Sequence, residues 1–225
     1  ITAIRIGNYT RRFYYMGCLR RHELTEYIKD YGLEYYFETG TGQAEALQHA
    51  VNYPFKKCYT VDIDEDMVEY SYNKLKDEST CDIEFFVGKS TEALDEHVPE
   101  LPENAPTLFF LDAHFPGADF HKCSYEESIR EHKQDAFPLE EEVDIILKHR
   151  DVSKDVFIID DLILYQKDAK VECLQQGIVW KYDWLQEELN LQTSANFLYE
   201  KFEKTHDFKT DLRDQGYLII TPKSK

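Results

Sequence analysis

The chain has 225 residues, of which 42% are hydrophobic and 31% charged, so it can bury one sizeable core within a single domain. No apolar run is long enough to cross a membrane, and no secretory leader opens the chain, although a first residue of Ile favours a trimmed form of a longer product. The net charge of −18 disfavours nucleic acid as a partner, because an acidic surface repels phosphate backbones.

Five cysteines are present, an odd number without CxxC spacing. That usage indicates reduced thiols rather than a disulfide framework, and it predicts a cytoplasmic protein. The cysteines are Cys18, Cys58, Cys81, Cys123 and Cys173.

Residues 1–22 form a basic, aromatic arm with five arginines and no acid. Two interpretations stay open: a peripheral arm whose arginines pair with the acidic body, or a lid that meets an anionic substrate over the active site. A helical pattern over residues 22–31 follows. We therefore divide the chain into an N-terminal segment, 1–32, and a main domain, 33–225. The arginines of the arm are Arg5, Arg11, Arg12, Arg20 and Arg21.

Short β-rich apolar runs alternate with amphipathic helical patterns along the main domain, which predicts an α/β fold with a parallel sheet built of βα units. Predicted helices begin near Gln43, after an Asp64 cap, at a Ser90 cap and at Pro138, where acids come first and bases last. The predicted strands are Leu33–Glu38, Lys57–Asp62, Ile83–Val87, Thr107–Asp112 and Val156–Asp160.

The tail has a different pattern. Residues Trp184–Leu191 are predicted to form a helix, and Phe197–Phe202 and Tyr217–Thr221 to form two strands. Because no helical crossover separates those strands, they are predicted to pair antiparallel. The stretch His114–Phe137 is predicted to be a long irregular loop, and loops of that length are usually functional or mobile.

The first predicted strand leads into Glu38-Thr39-Gly40-Thr41-Gly42. Glycines let the backbone turn sharply and approach a ligand at the start of the next helix. A nicotinamide site is disfavoured because Glu45 occupies the position of the third glycine in the dinucleotide fingerprint. Asp62 ends the next strand, 62 − 40 = 22 residues after Gly40, where a carboxylate can accept hydrogen bonds from both ribose hydroxyls.

The segments YFETGTGQAEAL and CYTVDIDEDMVEYSYNKL resemble the first two motifs of class I S-adenosylmethionine-dependent methyltransferases. Four later segments extend the resemblance in order over about residues 33–221: IEFFVGKSTEAL, TLFFLDAHFPG, FPLEEEVDIIL and VFIIDDLILY. The resemblance implies a Rossmann-like three-layer sandwich, with a seven-stranded, mostly parallel sheet and an inserted antiparallel C-terminal strand.

The same resemblance implies where S-adenosylmethionine would bind. The first glycine motif would line its methionine end, the acid after the second strand its ribose, and the start of the helix after the third strand its adenine. The implied cofactor-binding residues are Glu38, Thr39, Gly40, Gly42, Asp62, Ile63, Lys89, Ser90 and Asp112.

Aspartates close two further predicted strands, Asp112 after the fourth and Asp160 and Asp161 after the fifth. Parallel strands end at the same edge, so these three carboxylates should converge there. A hard divalent cation such as Mg²⁺ would relieve their repulsion. The pattern resembles the metal-dependent O-methyltransferases of the catechol and macrolide-sugar type, in which an acid after strand four and an acidic or amide pair after strand five hold Mg²⁺ against the acceptor hydroxyl. Asp161 stands where the catechol enzymes have an amide. The alternative is that Asp160 and Asp161 only cap turns and Asp112 only contacts the cofactor.

His114 lies two residues after Asp112 and is a candidate base for the acceptor proton, or a metal ligand. The same residue type in a loop often has neither role. A zinc site built from His121, Cys123 and His132 is disfavoured, because their spacing matches no standard zinc motif.

Together these features predict methyl transfer from S-adenosylmethionine to a hydroxyl of a small molecule or sugar, with Asp112 and His114 as catalytic residues. Two alternatives use the same fold: a metal-dependent, non-methylating enzyme similar to the cephalosporin hydroxylases, and a binding protein without catalysis. We expect no nucleic-acid and no membrane partner, and a homodimer is allowed.

Overall fold

The computed structural model describes residues 19–77, 79, 81–165 and 193–224. The α-helices of the described residues are α1 (Leu24–Tyr31), α2 (Glu45–Ala50), α3 (Glu65–Leu75), α4 (Ser90–His97), α5 (Tyr125–His132), α6 (Leu139–His149) and α7 (Asn196–Phe202). Short 3-10 helices are formed by Leu19–Arg21, Val98–Glu100, Lys133–Ala136 and Leu162–Tyr165. The strands are β1 (Tyr35–Thr39), β2 (Lys57–Asp62), β3 (Asp82–Val87), β4 (Thr107–Leu111), β5 (Val156–Ile159), β6 (His206–Asp211) and β7 (Tyr217–Pro222).

The seven described strands form one sheet in the order β3-β2-β1-β4-β5-β7-β6. The first five strands pair parallel, and Thr39 at the end of β1 lies beside Val61 of β2 and Leu111 of β4. Strand β7 is antiparallel to both β5 and β6, between which it is inserted. The predicted fold class is therefore confirmed, and all five parallel strands end at one edge, called here the carboxyl edge.

The core lies on both faces of this sheet, because successive strand residues point to opposite sides. Aromatic rings of neighbouring strands stack on the face covered by α4 and α6: Phe109 lies 6.2 Å from Phe37 and 5.2 Å from Phe157, between ring centroids. Tyr36 and Leu108 face the other side, with α1 and α2. These two apolar layers produce the predicted three-layer sandwich.

Helix starts agree with the sequence in one case and differ in another. Asp64 caps α3 by accepting a hydrogen bond from the Asp66 amide at 3.1 Å, as predicted. Ser90 does not cap α4: it is the first helical residue, and Lys89 stands at the cap without a side-chain bond. The Ser90 cap prediction is therefore wrong, and Ser90 is a buried residue of the first helical turn.

The tail prediction needs two corrections. Residues 197–202 form most of helix α7 rather than a strand, because Leu198 and Phe202, four residues apart, both bury against the core. The strand that pairs with β7 is β6, a charged segment at the sheet edge, where few of the side chains are fully buried. The antiparallel direction of the pair is confirmed. The predicted helix over 184–191 lies outside the described residues.

The long loop prediction is also partly wrong, because residues 125–132 form α5. Ser124 and Glu127 make a reciprocal capping box, with hydrogen bonds of 3.2 and 2.9 Å. The sequence contains the pattern that is typical of a capping box, a Ser followed three residues later by Glu. The two remaining connections, 112–124 and 133–138, flank the carboxyl edge.

The described part of the N-terminal segment packs on the main domain. Leu19 and Leu24 are fully buried in its core. Arg20 lies 3.2 Å from Glu45, and Arg21 lies 2.8 Å from Asp214. For these two arginines the structure favours pairing with the acidic body; Arg5, Arg11 and Arg12 lie outside the described residues. None of the described helices is long and apolar enough to span a lipid bilayer.

Candidate cofactor and acceptor site

The connection between β1 and α2 approaches β4 so closely that it requires glycine. Gly40 has φ +82°, and a Cβ on it would lie 2.6 Å from the carbonyl oxygen of Asp112. Gly42 has φ +48°, and a Cβ there would lie 3.2 Å from the ring of Phe120. Both glycines thus permit a conformation and a close approach that side chains would obstruct. We call residues 40–42 the glycine turn.

Asp62 holds the glycine turn from the adjacent strand. Its Oδ2 accepts a hydrogen bond from the Gly42 amide at 2.8 Å, and its Oδ1 accepts one from the Asp64 amide at 2.9 Å. Each oxygen keeps a second lone pair, so the carboxylate can still accept from a ligand hydroxyl. Burial raises the pKa of Asp62, although both backbone bonds oppose that rise. Ile63 follows on the surface, 37% exposed.

Glu38 lies fully buried beneath the glycine turn. It accepts hydrogen bonds from the Tyr36 hydroxyl at 2.5 Å and from the Thr60 hydroxyl at 2.8 Å. Burial raises the pKa of Glu38 to about 8, since these two bonds only partly offset the loss of water. The predicted cofactor acid is therefore mostly protonated at neutral pH in this structure.

Thr39, Lys89 and Ser90 lie at the carboxyl edge. Thr39 ends β1 and is fully buried, while Ser90 begins α4. The Lys89 ammonium turns outward to Asp135, 3.0 Å away. That ion pair joins the β3–α4 turn to the segment that precedes α6.

Glu142 is a buried acid whose position at the start of α6 predicted only an interaction with the helix dipole. It lies in the first turn of α6 with 1% exposure, and neither carboxylate oxygen has a hydrogen-bond partner. Burial raises the pKa of Glu142 to about 7; the Ser90 and Thr39 hydroxyls lower it, yet neither makes a well-formed bond to it. The burial of Glu142 could have been predicted from its spacing, because it lies on the same face of α6 as the buried Leu139 and Ile146.

The predicted aspartates converge around His114. The His114 Nε2 lies 2.9 Å from Asp161 Oδ2, and its Nδ1 lies 2.9 Å from the Asp112 carbonyl oxygen and 3.6 Å from its carboxylate. Asp160 precedes Asp161, and its Oδ1 accepts a hydrogen bond from the Asp161 amide at 2.7 Å. Asp161 has φ +49°, a strained backbone for a residue other than glycine. We call Asp112, His114, Asp119, Asp160 and Asp161 the acidic cluster.

Asp119 is the member of the acidic cluster that the sequence did not predict. Its Oδ2 lies 3.6 Å from His114 Nε2, and its Oδ1 accepts from the Tyr125 hydroxyl at 2.9 Å. Asp119 lies in the connection between β4 and α5, where no periodic pattern marks it. Only the path of the chain brings this carboxylate to the cluster.

The charges of the acidic cluster strongly shift its proton affinities. Burial and then repulsion from Asp160 and Asp161 raise the pKa of Asp112 well above its usual range, and burial and Asp161 do the same for Asp160. Burial lowers the pKa of His114, but attraction from Asp161 and the other aspartates outweighs it and raises that pKa to about 10. The imidazole is therefore charged at neutral pH, and in this arrangement it cannot accept a proton.

The acidic cluster has the donor chemistry of a Mg²⁺ site but not its assembled geometry. Asp160 Oδ2 and Asp161 Oδ1 are buried without hydrogen-bond partners, which leaves two carboxylate oxygens free for a hard cation. Among the described residues, no group of three His, Cys, Asp or Glu side chains is arranged to hold a metal ion.

The glycine turn and the acidic cluster are contiguous. The Asp112 amide donates to the Thr39 carbonyl at 3.1 Å, and the Asp112 carbonyl lies against Gly40. Phe120, from the same connection as His114, lies over Gly42. Two groups that the sequence identified separately thus form one site at the carboxyl edge, where ligands bind open α/β sheets.

Solved structures with a similar fold include a Staphylococcus aureus protein assigned as a caffeoyl-CoA O-methyltransferase, at 14% identity and a TM-score of 0.52, over 88% of this chain and 80% of that one. The O-methyltransferase TomG of Streptomyces achromogenes, solved with S-adenosylmethionine, is also 14% identical, with a TM-score of 0.50 over 88% and 77% of the two chains. No protein-family model and no curated protein matches the chain significantly. At this identity the similarities show that the chain shares its fold with these two structures.

Proposed function

We propose that this chain transfers a methyl group from S-adenosylmethionine to a hydroxyl of a small molecule or sugar. The observation that carries the proposal is the contiguity of the glycine turn, Asp62 and the acidic cluster at one sheet edge. The first two would hold the cofactor, and the third would meet the acceptor. The chain's main contribution would be to align the sulfonium methyl with the attacking oxygen.

The cofactor half of the proposal is supported by the free acceptor capacity of Asp62 and by the fold shared with TomG, which was solved with S-adenosylmethionine. Thr39, Ile63, Lys89 and Ser90 surround the same edge. Their order from β1 to α4 matches the order of methionine, ribose and adenine that the sequence resemblance implies.

The acceptor half rests on the acidic cluster. We propose that Asp112, Asp160 and Asp161 would hold Mg²⁺, which when bound lowers the pKa of a coordinated hydroxyl. Two unpaired oxygens and the carboxylate donor set support that assignment. His114 is the proton-exchanging group of the cluster, and it would act as a base only after the ring loses the proton that it shares with Asp161.

Calorimetry with S-adenosylmethionine and S-adenosylhomocysteine tests the cofactor assignment directly. Asp62→Ala should weaken S-adenosylmethionine binding by roughly 1.5–3 kcal/mol, the range for a hydrogen bond to a charged group. Asp30→Ala is the matched control, because Asp30 is an exposed aspartate of α1 away from the carboxyl edge. The control variant should bind as the wild type does.

Unchanged affinity in Asp62→Ala, with the fold intact by circular dichroism, would remove Asp62 from the site. Tighter binding of NAD than of S-adenosylhomocysteine would reject the methyltransferase proposal altogether. Tight cofactor binding without transfer to any of a panel of hydroxylated acceptors would favour a binding protein. A metal-dependent reaction of the panel without methyl transfer would favour the non-methylating alternative.

A further inference from the structure

Two thiols face each other at the opposite end of the sheet from the proposed site. Cys58, the second residue of β2, is fully buried, and Cys81, just before β3, is partly exposed. Their sulfur atoms lie 3.3 Å apart. Because β2 and β3 are hydrogen-bonded neighbours, the sheet itself holds the two cysteines together.

The two thiols are chemically unequal. A hydrogen bond from the Cys58 thiol lowers the pKa of Cys81, although burial and the nearby Asp82 carboxylate oppose it. The same bond, with burial, raises the pKa of Cys58. The Cys81 sulfur also lies 3.6 Å from the Phe55 carbonyl and 3.5 Å from the Asp82 carbonyl, to which a thiol can donate. Cys81 is therefore the more accessible nucleophile, with Cys58 placed to resolve it.

We propose that Cys58 and Cys81 form a reversible disulfide when the chain meets a two-electron oxidant such as hydrogen peroxide. The Cys81 sulfur attacks one peroxide oxygen, which breaks the O–O bond, gives a sulfenic acid and releases one water. The Cys58 sulfur then attacks the Cys81 sulfur, expelling the hydroxyl as a second water. Two thiols thus lose two electrons and two protons, and peroxide gains them.

The bond would close the segment from 58 to 81, whose ends are 81 − 58 = 23 residues apart. That segment contains most of β2, with Asp62, and α3. Cross-linking restricts the unfolded chain, so the oxidised protein should melt at a higher temperature than the reduced protein. This inference does not depend on the proposed function, because both cysteines lie away from the carboxyl edge.

Peptide mapping of the oxidised, folded chain tests the proposal. The protein is treated with hydrogen peroxide, its remaining thiols are alkylated in denaturant, and it is digested with trypsin without reduction. Cleavage after Lys57, Lys74, Lys76 and Lys89 separates the two cysteines into peptides 58–74 and 77–89. We expect these two peptides to appear joined and to separate on treatment with dithiothreitol. No joined pair, or preferential joining to Cys18, Cys123 or Cys173, would overturn the proposal.

Three variants separate the roles of the thiols. Cys58→Ser should stop the reaction at a Cys81 sulfenic acid that dimedone traps, and Cys81→Ser should leave Cys58 unoxidised. Cys123→Ser is the matched control, because that sulfur faces the Pro116 carbonyl at 3.4 Å; it should cross-link as the wild type does. Dimedone labelling of Cys58 in Cys81→Ser would contradict the assigned order, and a lower melting temperature after oxidation would contradict the stabilising effect. The wild-type mapping holds as a test even if Cys58→Ser does not fold.

Discussion

The candidate site has a cofactor half, formed by Glu38, the glycine turn and Asp62, and an acceptor half, formed by the acidic cluster. The two halves differ in how completely the chain satisfies its own polar groups. In the cofactor half, both Asp62 oxygens accept backbone hydrogen bonds, and Glu38 accepts two from hydroxyls. In the acceptor half, Asp160 and Asp161 each keep a buried oxygen without a partner. Including the Glu142 carboxylate at the same edge, this region holds four of the six unpaired buried side-chain atoms among the described residues. A ligand is therefore needed more by the acceptor half than by the cofactor half.

This difference separates two kinds of preorganisation. The glycine turn is fixed by backbone geometry and would present the same surface with or without a cofactor. The acidic cluster brings buried carboxylates together, which raises the pKa of Asp112 and Asp160 and keeps the His114 ring charged. We expect ligand binding to change the protonation of the acidic cluster and to leave the glycine turn in place.

The largest effect should come from removing carboxylate charge in the acceptor half. Asp160→Asn and Asp161→Asn should abolish cation-dependent turnover, while S-adenosylmethionine affinity stays near the wild-type value. In Asp160→Asn the new side-chain amide oxygen can still accept the hydrogen bond from the Asp161 backbone amide, so the fold should be kept. Calorimetric titration with manganese and an anomalous diffraction map measure the loss of metal binding, and an activity assay measures the loss of turnover.

Asp144→Asn is the control for that experiment, because Asp144 is an exposed aspartate of α6 paired with Lys201. It should keep both activity and metal binding. Methyl transfer that resists chelators, or a manganese peak that persists in both site variants, would reject the metal assignment. Proton exchange would then rest on His114 and Asp112 alone.

The next effect concerns the backbone of the cofactor half. Gly40→Ala places a Cβ against the Asp112 carbonyl and also strains a positive φ, so it should lower the free energy of unfolding by roughly 2–4 kcal/mol. Gly32→Ala is the matched control: its φ is +66°, but nothing lies within 4 Å of the added Cβ. Gly32→Ala should lower the free energy of unfolding by about 1 kcal/mol, from backbone strain alone. Equal losses by urea unfolding would show that the close approach to Asp112 has no energetic consequence.

The sequence predicted the cofactor half better than the acceptor half for a physical reason. A Gly-x-Gly turn after one strand and an acid at the end of the next need only adjacent strands to meet, and the structure joins the two through the Gly42–Asp62 hydrogen bond. Asp112, Asp160 and Asp161 were likewise predicted to meet, because parallel strands share an edge. The roles of these residues toward a cofactor or a metal stay predictions.

What the sequence could not predict depends on burial and on the path of the chain. Asp119 reaches His114 only because the connection after β4 folds back, and no local pattern encodes that path. The tail strand was misplaced because residues 196–202 carry β-prone aromatic residues, whereas tertiary burial of Leu198 and Phe202 selects a helix. The charged β6 was missed because an edge strand needs few apolar residues.

A smaller effect should come from Glu142, the unpaired acid between the two halves. Burial raises its pKa from 4.5 to about 7, so the folded chain binds a proton more tightly than the unfolded chain does. Its contribution to stability is therefore present below pH 4.5 and is lost as the pH rises through about 7. Glu142→Gln should remove that loss, so its stability relative to the wild type should increase with pH by about 1–3 kcal/mol. Denaturant unfolding over this range measures the difference, and a difference independent of pH would contradict the assignment.

The smallest expected effect concerns Glu38 and tests whether the cofactor half also responds to ligand charge. Its pKa of about 8 means that the carboxyl is mostly neutral at neutral pH and ionises as the pH rises. S-adenosylmethionine carries a sulfonium cation that S-adenosylhomocysteine lacks. An ionised Glu38 beneath the glycine turn should therefore favour the sulfonium ligand, by on the order of 1 kcal/mol. The affinity ratio of the two ligands should rise as the pH passes through about 8 and then level off.

Glu38→Gln provides the control within this measurement, because its amide oxygen can accept from Tyr36 and Thr60 but cannot ionise. The ligands' own titration is common to both proteins and cancels when their ratios are compared. A pH-dependent ratio in the wild type and a flat one in Glu38→Gln would place the sulfonium within the field of this carboxylate. The same slope in both proteins would mean that Glu38 only supports the turn, and the response to ligand charge would then belong to the acidic cluster alone.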